Sequence, residues 1–254
     1  MTDEQSLLNT YNKMVLNNEI EKNKSQETLL FDLEALKKKL EKSRKLKKNA
    51  TRRIFSKFFQ SKSPEQNKGI YIYGGVGIGK SMLMDLFFNL LDIKEKKRIH
   101  FHEFMKRLHQ LIQNARENNI IDPIKSVASE YTKNIEVLCL DEMQITDVAD
   151  AMIVGRVFEE FHRKKLIVIT TSNRHPRDLY KNGLNRKLFL PFIDIMISRL
   201  NVVKLSADVD YRKIKIAGEK KYFLSNSAQD TIQFNDLVSQ FNLNRGSGIK
   251  IQMH

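Results

Sequence analysis

The 254-residue sequence has one cysteine, Cys139, and it lies inside an apolar run. That excludes a disulfide framework and makes a reducing compartment the expected setting. No apolar stretch approaches the roughly 20 residues that a membrane span requires. The opening Met1-Thr2-Asp3-Glu4-Gln5 is polar and acidic, unlike a signal or transit peptide. No internal repeat and no long low-complexity segment is present. Together these absences predict a cytoplasmic chain without a transmembrane segment. At 41% hydrophobic residues it can build one good core plus an appendage. Acidic residues are scarce in one place above all. Between Lys37 and Arg53, ten Lys or Arg stand against the single acid Glu41, within an overall net charge of +14. Two readings stay open for this stripe: a surface for phosphate backbones or anionic lipid, or a solvated helix face. No aromatic residue interleaves the basic ones, which weakens the case for stacking on single-stranded nucleic acid.

What is present is a phosphate loop. Gly74-Gly75-Val76-Gly77-Ile78-Gly79-Lys80-Ser81 fits the Walker A pattern of Gly, four residues, then Gly-Lys-Ser/Thr. A short apolar strand over 69–73 precedes it, and a helical apolar rhythm over 82–91 follows. The glycines let the backbone curl so that successive N–H groups point inward, and the helix N-terminus adds the positive end of its dipole. Lys80 is expected to reach the β- and γ-phosphates of ATP, and the Ser81 hydroxyl to sit on Mg²⁺.

The rest of the chain alternates in the same grammar. Strands are expected at 98–101, 136–140, 166–170 and 202–205, and helices at 103–118, 147–163 and 188–199. Nearly all-apolar strands alternating with helices predict an α/β fold, a parallel sheet covered on both faces. Ahead of this, residues 10–48 read as one polar helix. Leu29, Leu30, Leu33, Leu36 and Leu40 form an apolar stripe along it. A turn-rich loop over 60–67 marks a boundary. The expected organisation is a basic helical N-terminal region (1–65), a nucleotide-binding core (66–212) and an incomplete C-terminal segment (213–254).

The strand Val137-Leu138-Cys139-Leu140 runs into Asp141-Glu142, the form of a Walker B element. Asp141 is expected to hold Mg²⁺ through water, and Glu142 to orient and deprotonate the attacking water. Asn173, at the tip of the next strand, reads either as a sensor of the γ-phosphate or as a loop cap. Arg186 and Arg199 are each candidates for an arginine finger reaching a neighbouring subunit's γ-phosphate, or for surface salt bridges. His100 and His102, two apart on an expected strand, would share a face. With no cysteine or carboxylate set to complete a zinc site, a core or supporting role is expected for them.

These residues resemble the ZapE/AFG-like ATPases, a branch of the AAA+ superfamily. The likeness is carried by the phosphate loop, by Arg98-Ile99-His100-Phe101-His102-Glu103-Phe104-Met105 with His109, and by Leu138 to Glu142 continuing into Asp147-Val148-Ala149-Asp150-Ala151-Met152. It extends through Thr171-Ser172-Asn173, Pro176, Leu179-Tyr180-Lys181-Asn182-Gly183-Leu184, Arg186, Phe189-Leu190-Pro191-Phe192-Ile193 and Asp210-Tyr211-Arg212. Upstream, Tyr11 to Leu40 with Gln26 is similar to the family's N-terminal helical region. The resemblance implies an AAA+ P-loop NTPase core whose five-stranded parallel sheet has the order 5-1-4-3-2. It also implies nucleotide-dependent assembly into a homo-oligomeric ring, ATP hydrolysis, and a protein client linked to cell division or to turnover of inner-membrane proteins. Two alternatives stand beside it. One is a nucleic-acid-directed ATPase similar to a helicase loader. The other is a shortened chain that binds ATP with negligible turnover, since members of the family continue into a helical C-terminal part and this sequence stops at His254.

Overall fold

Five apolar runs become five parallel strands: β1 (Gly69–Tyr73), β2 (Lys96–His100), β3 (Val137–Asp141), β4 (Ile167–Ser172) and β5 (Leu200–Lys204), in the spatial order β2-β3-β4-β1-β5. This is the 5-1-4-3-2 order that the resemblance implied. The structure, a computed structural model, describes residues 6–49 and 68–206. The loop over 60–67, the basic residues Arg52 and Arg53, Asp210-Tyr211-Arg212 and the 213–254 segment lie outside the described residues.

The strands read as continuously apolar because both faces of the sheet are covered. Side chains alternate between two cores. Tyr71, Ile99, Leu138, Leu140 and Val168 face a core built with α4 (Phe101–Glu117), α5 (Pro123–Tyr131), α6 (Val148–Arg163) and α7 (Leu190–Arg199). Ile70, Ile72, Val137, Cys139, Ile167 and Ile169 face the other, built with α1 (Leu7–Leu16), α2 (Lys24–Asn49) and α3 (Lys80–Leu90). On α4 the buried Phe101, Phe104, Met105, Leu108, Ile112 and Ala115 recur every three or four residues, so one stripe meets the sheet and the rest stays wet.

Three local expectations are corrected. The helix expected over 10–48 is two helices, and α1 ends at a break where Asn17 caps it and Asn18 takes the left-handed φ of +57°. A short polar side chain tolerates that conformation, so the chain turns back and the α1 residues Leu7 and Tyr11 are buried with the leucine stripe of α2. Glu34 of α2 accepts a hydrogen bond from the Leu7 N–H at 2.9 Å, fixing the start of α1. Helix α5 was not foreseen, although Asp122 caps it by accepting from the Lys125 N–H and Pro123 fills its first position. The β2 strand ends at His100 rather than at 101, because α4 begins at once with Phe101.

Eight of the ten basic residues of the stripe, from Lys37 to Lys48, lie on α2. Lys37 is buried and paired with Glu41 at 3.4 Å, Lys38 with Glu34 at 3.7 Å, and Arg44 with Glu95 across to the start of β2. Lys39, Lys42 and Lys45 are exposed. No helix among the described residues is long and apolar enough to cross a membrane.

Candidate functional site

The carboxyl ends of β1, β4 and β3 lie side by side, with β4 between the other two. The phosphate loop leaves β1 there and enters α3, whose N-cap is Gly79 in the left-handed region (φ +85°). Gly77 is left-handed too, at +76°. A Cβ on Gly74 would lie 2.3 Å from the Leu205 carbonyl oxygen, and one on Gly79 would lie 2.6 Å from Gln26 Nε2. Only glycine fits these two places. Gly75, Val76 and Ile78 complete the loop, with Gly75 and Val76 exposed. The free N–H groups of the first turn of α3 and the positive end of its dipole face the loop, the ordinary setting for a bound phosphate.

Lys80 opens α3 and is only 8% exposed. Its Nζ donates to the Gly74 carbonyl at 3.0 Å and the Gly75 carbonyl at 2.5 Å. Burial pushes its ammonium below the ordinary value, and the Asp141 and Glu142 carboxylates pull the other way. The next residue, Ser81, donates its hydroxyl to Asp141 Oδ1 at 2.8 Å. Asp141, last in β3 and 1% exposed, also accepts from Thr171 Oγ1 at 2.5 Å and from Arg98 Nη2 at 2.8 Å. Arg98 in turn pairs with Asp85 on α3. Burying a carboxylate is costly unless it is paired and hydrogen-bonded, and these three donors supply its partners.

A hydroxyl and a carboxylate in hydrogen-bond contact are hard oxygen donors that fit Mg²⁺, an ion that keeps several waters and takes few protein ligands. Among the described residues, no cluster of three or more His, Cys, Asp or Glu could hold a metal by itself.

Glu142 follows Asp141 with φ +58°, a left-handed conformation that takes its side chain out of the strand's register. Its N–H donates to Thr171 Oγ1 at 2.8 Å, so one threonine hydroxyl holds both acids in place. Glu142 and Asn173 are exposed and line a cleft of about 780 Å³, together with His100, His102, Arg174 and Tyr180. Beside it, Ser172 Oγ donates to the Met143 carbonyl, Tyr71 Oη donates to the Arg174 carbonyl, and the Gly74 N–H donates to the Ser172 carbonyl, stitching the ends of the strands together.

The expected histidine geometry is corrected. His100 is the last residue of β2 and His102 lies in the first turn of α4, so the strand period does not relate them. Both are exposed at the cleft rather than in the core. His109, from the same stretch, contacts Asp150 at 2.6 Å.

Lys80, Ser81 and Asp141 are thus brought together, with Glu142 and Asn173 beside them on the cleft. Two residues stand apart. Arg186, in a single 3₁₀ turn, donates to the Arg177 carbonyl at 2.5 Å. Arg199 is exposed at the end of α7, beside Gly69 at the amino edge of the sheet. Sequence reasoning assigned no role to Thr171, Arg98 or Gln26. They stand within the stretches that carry the family resemblance, but nothing local assigns them a role, because each acts on a residue from a different strand or helix.

The family model for AFG1-like ATPases matches residues 5–249, nearly the whole chain. The chain belongs to this family. It is 41% identical over 178 residues to lactation elevated protein 1 homolog B of Danio rerio, covering 66% of this chain and 35% of that protein. It is 39% identical over 145 residues to cell division protein ZapE of Escherichia coli K12, covering 57% of this chain and 38% of that one. The chain therefore spans little more than a third of the length of these relatives. Among solved structures, DnaI superposes with a TM-score of 0.50 at 15% identity, covering 75% of this chain and 90% of DnaI. That likeness concerns the fold alone.

Proposed function

We propose that this chain binds MgATP at the phosphate loop and hydrolyses it, acting as a cytoplasmic AAA+ ATPase that remodels a protein client, with a role linked to cell division. The observation that carries the reading is the joining of two motifs: Lys80 is buried within hydrogen-bond reach of the loop, and Ser81 lies 2.8 Å from Asp141. In this reading the N–H groups from Gly74 to Ser81 cradle the β-phosphate, and Lys80 bridges the β- and γ-phosphates. Ser81 and Asp141 would hold Mg²⁺, which would supply positive charge that screens the phosphate oxygens. Glu142 takes a proton from water as its oxygen attacks the γ-phosphorus. The bond from that phosphorus to the β–γ bridging oxygen breaks, leaving ADP and phosphate. Asn173 orients the γ-phosphate or the water. Either Arg186 or Arg199 would serve as the arginine finger for a neighbour's γ-phosphate in a nucleotide-dependent ring. The boundaries at 65 and 212 are retained as the proposed limits of the ATPase core.

The nucleic-acid alternative draws on the basic stripe, but Lys37, Lys38 and Arg44 are engaged by carboxylates, which leaves less free charge than the sequence suggests. The test is ATP turnover per subunit over a range of protein concentrations. Turnover is expected to rise with concentration. It should fall by about 10²–10⁴-fold in Glu142→Gln with binding kept, whereas Lys80→Ala should lose binding as well. ATP binding without turnover above the Glu142→Gln control would replace this reading with that of a nucleotide-binding chain. Turnover retained in Glu142→Gln would overturn the assignment of the base.

A further inference from the structure

The phosphate loop does not stand alone. Gln26, half-buried in the first turn of α2, donates from Nε2 to the carbonyl of Ile78 at 3.0 Å, 52 positions away in sequence. Its Oε1 accepts from the hydroxyl of Tyr11 at 2.9 Å, and that hydroxyl itself accepts from the Asn23 N–H at 2.9 Å. This chain of bonds settles which way the amide points. The Tyr11 hydroxyl has one proton, directed at Gln26, so the carbonyl end of the amide meets the tyrosine and the NH₂ end meets the loop.

We infer that Gln26 is a positioning residue of the phosphate loop, and that through it the docking of α1 and α2 sets the shape in which the loop receives a phosphate. The inference rests on the nucleotide-site reading above. Its physical basis is the planarity of the peptide unit. In a trans peptide the C=O and N–H point in opposite directions, so holding the Ile78 carbonyl on Gln26 directs the Gly79 N–H away from α2. Released from Gln26, that peptide is free to rotate, because Gly79 accepts many conformations. The fit is close on both sides, since a Cβ at Gly79 would lie 2.6 Å from Gln26 Nε2.

The same turn braces the other end of the loop. Asn23 Nδ2 and Ser25 Oγ donate to the Ser206 carbonyl at 3.1 and 2.9 Å, just beyond β5. The adjacent Leu205 carbonyl is the group that closes over Gly74. Tyr11 is fully buried, so the hydroxyl that orients Gln26 is in place only when α1 is packed. Nucleotide at the loop and docking of α1 are therefore linked, and each strengthens the other by the same factor.

The test uses the full chain with three substitutions: Gln26→Leu, Gln26→Glu and Tyr11→Phe. Amide hydrogen exchange of loop peptides is measured without nucleotide, ADP affinity by titration, and thermal midpoint alongside. In Gln26→Leu, exchange across 75–80 is expected to rise about threefold or more and ADP affinity to fall about three- to tenfold, the range of one lost hydrogen bond. Gln26→Glu should be worse, because its carboxylate opposes the Ile78 carbonyl. Tyr11→Phe keeps the ring and loses only the orienting hydroxyl, so it decides the matter if either Gln26 variant fails to fold. Unchanged loop exchange and ADP affinity in folded variants overturns the inference. So does a lowered thermal midpoint with both of those unmoved, which is what packing alone would give. A wild-type chain that binds no ADP would count against the nucleotide reading instead, while the exchange measurement still decides the brace.

Discussion

The two faces of the sheet support the two halves of the site in different ways. The core beneath the phosphate loop is chiefly aliphatic: Leu29, Leu30, Leu33, Ile70, Ile72, Leu83 and Ile169, with Tyr11 and Phe87 the aromatic members buried there. The core beneath the cleft is richer in aromatic rings, which meet in sequence from Tyr180 to Phe189, Phe192, Phe158, Phe161 and Phe104. The backbone differs to match. The phosphate loop meets its left-handed positions with Gly77 and Gly79, where they cost little. The cleft places Glu142 and Tyr180 at φ of +58° and +50°, where such strain costs about 1–3 kcal/mol at each residue, and Asn182 at +66°, which its short polar side chain tolerates. A loop held by glycines and hydrogen bonds receives a ligand without storing energy. The strained backbone of the cleft is backed by packed rings, and Glu142, strained next to Asp141, is the proposed base.

The sharpest way to break this contrast is to remove a ring. Phe161 is 1% exposed and meets Phe104, Tyr131 and Phe158. Phe161→Ala should cost about 3–5 kcal/mol of folding stability, measured by denaturant unfolding. ADP affinity of the folded protein should stay within about twofold, since the loop rests on the other face. A parallel loss of affinity would show that the two faces are not separable supports.

A smaller effect tests the strain itself, through two substitutions of opposite sign. Glu142→Gly should raise stability by up to about 1 kcal/mol while abolishing turnover, because glycine adopts the left-handed conformation freely. Gly77→Ala should lower stability by about 1–2 kcal/mol and weaken nucleotide binding. Equal signs in thermal unfolding would dismiss the contrast between a relaxed loop and a strained cleft.

The smallest effect concerns Cys139, fully buried in the aliphatic core, where burial pushes its thiol up to about 12. The thiol stays protonated in the folded protein after an exposed one would ionise, so its contribution to stability is intact below the ordinary value and is lost as pH rises from about 9 toward 12. Cys139→Ala should flatten that part of the stability profile. Wild-type protein should resist maleimide labelling at pH 8 until unfolded, and rapid labelling would contradict the packing of that face.

Much of this was legible in the chain because the signals are local. A phosphate loop is one uninterrupted turn, so its glycines, lysine and serine stand together, and Asp141-Glu142 declares itself by ending an apolar strand. The strand order was legible through family likeness, which carries tertiary information that periodicity lacks. Helix α5 escaped because its Asp-Pro cap signal opens only nine residues, too few for periodicity to register. The histidines were misplaced because α4 starts with no loop after β2, so a period of two gives way to one of 3.6 between His100 and His102.

Composition and short motifs were enough to predict a parallel α/β core with a glycine-rich phosphate-loop motif after its first strand, since both follow from contacts within a few residues or from an alternation repeated along the chain. They were not enough to say that Thr171 holds Asp141 and Glu142, that Arg98 neutralises the buried acid, or that Gln26 braces Ile78. Each of those bonds joins residues 29 to 52 positions apart. A hydroxyl, a guanidinium or an amide acquires a partner only when strands pair and helices pack, so these contacts were decided by the fold.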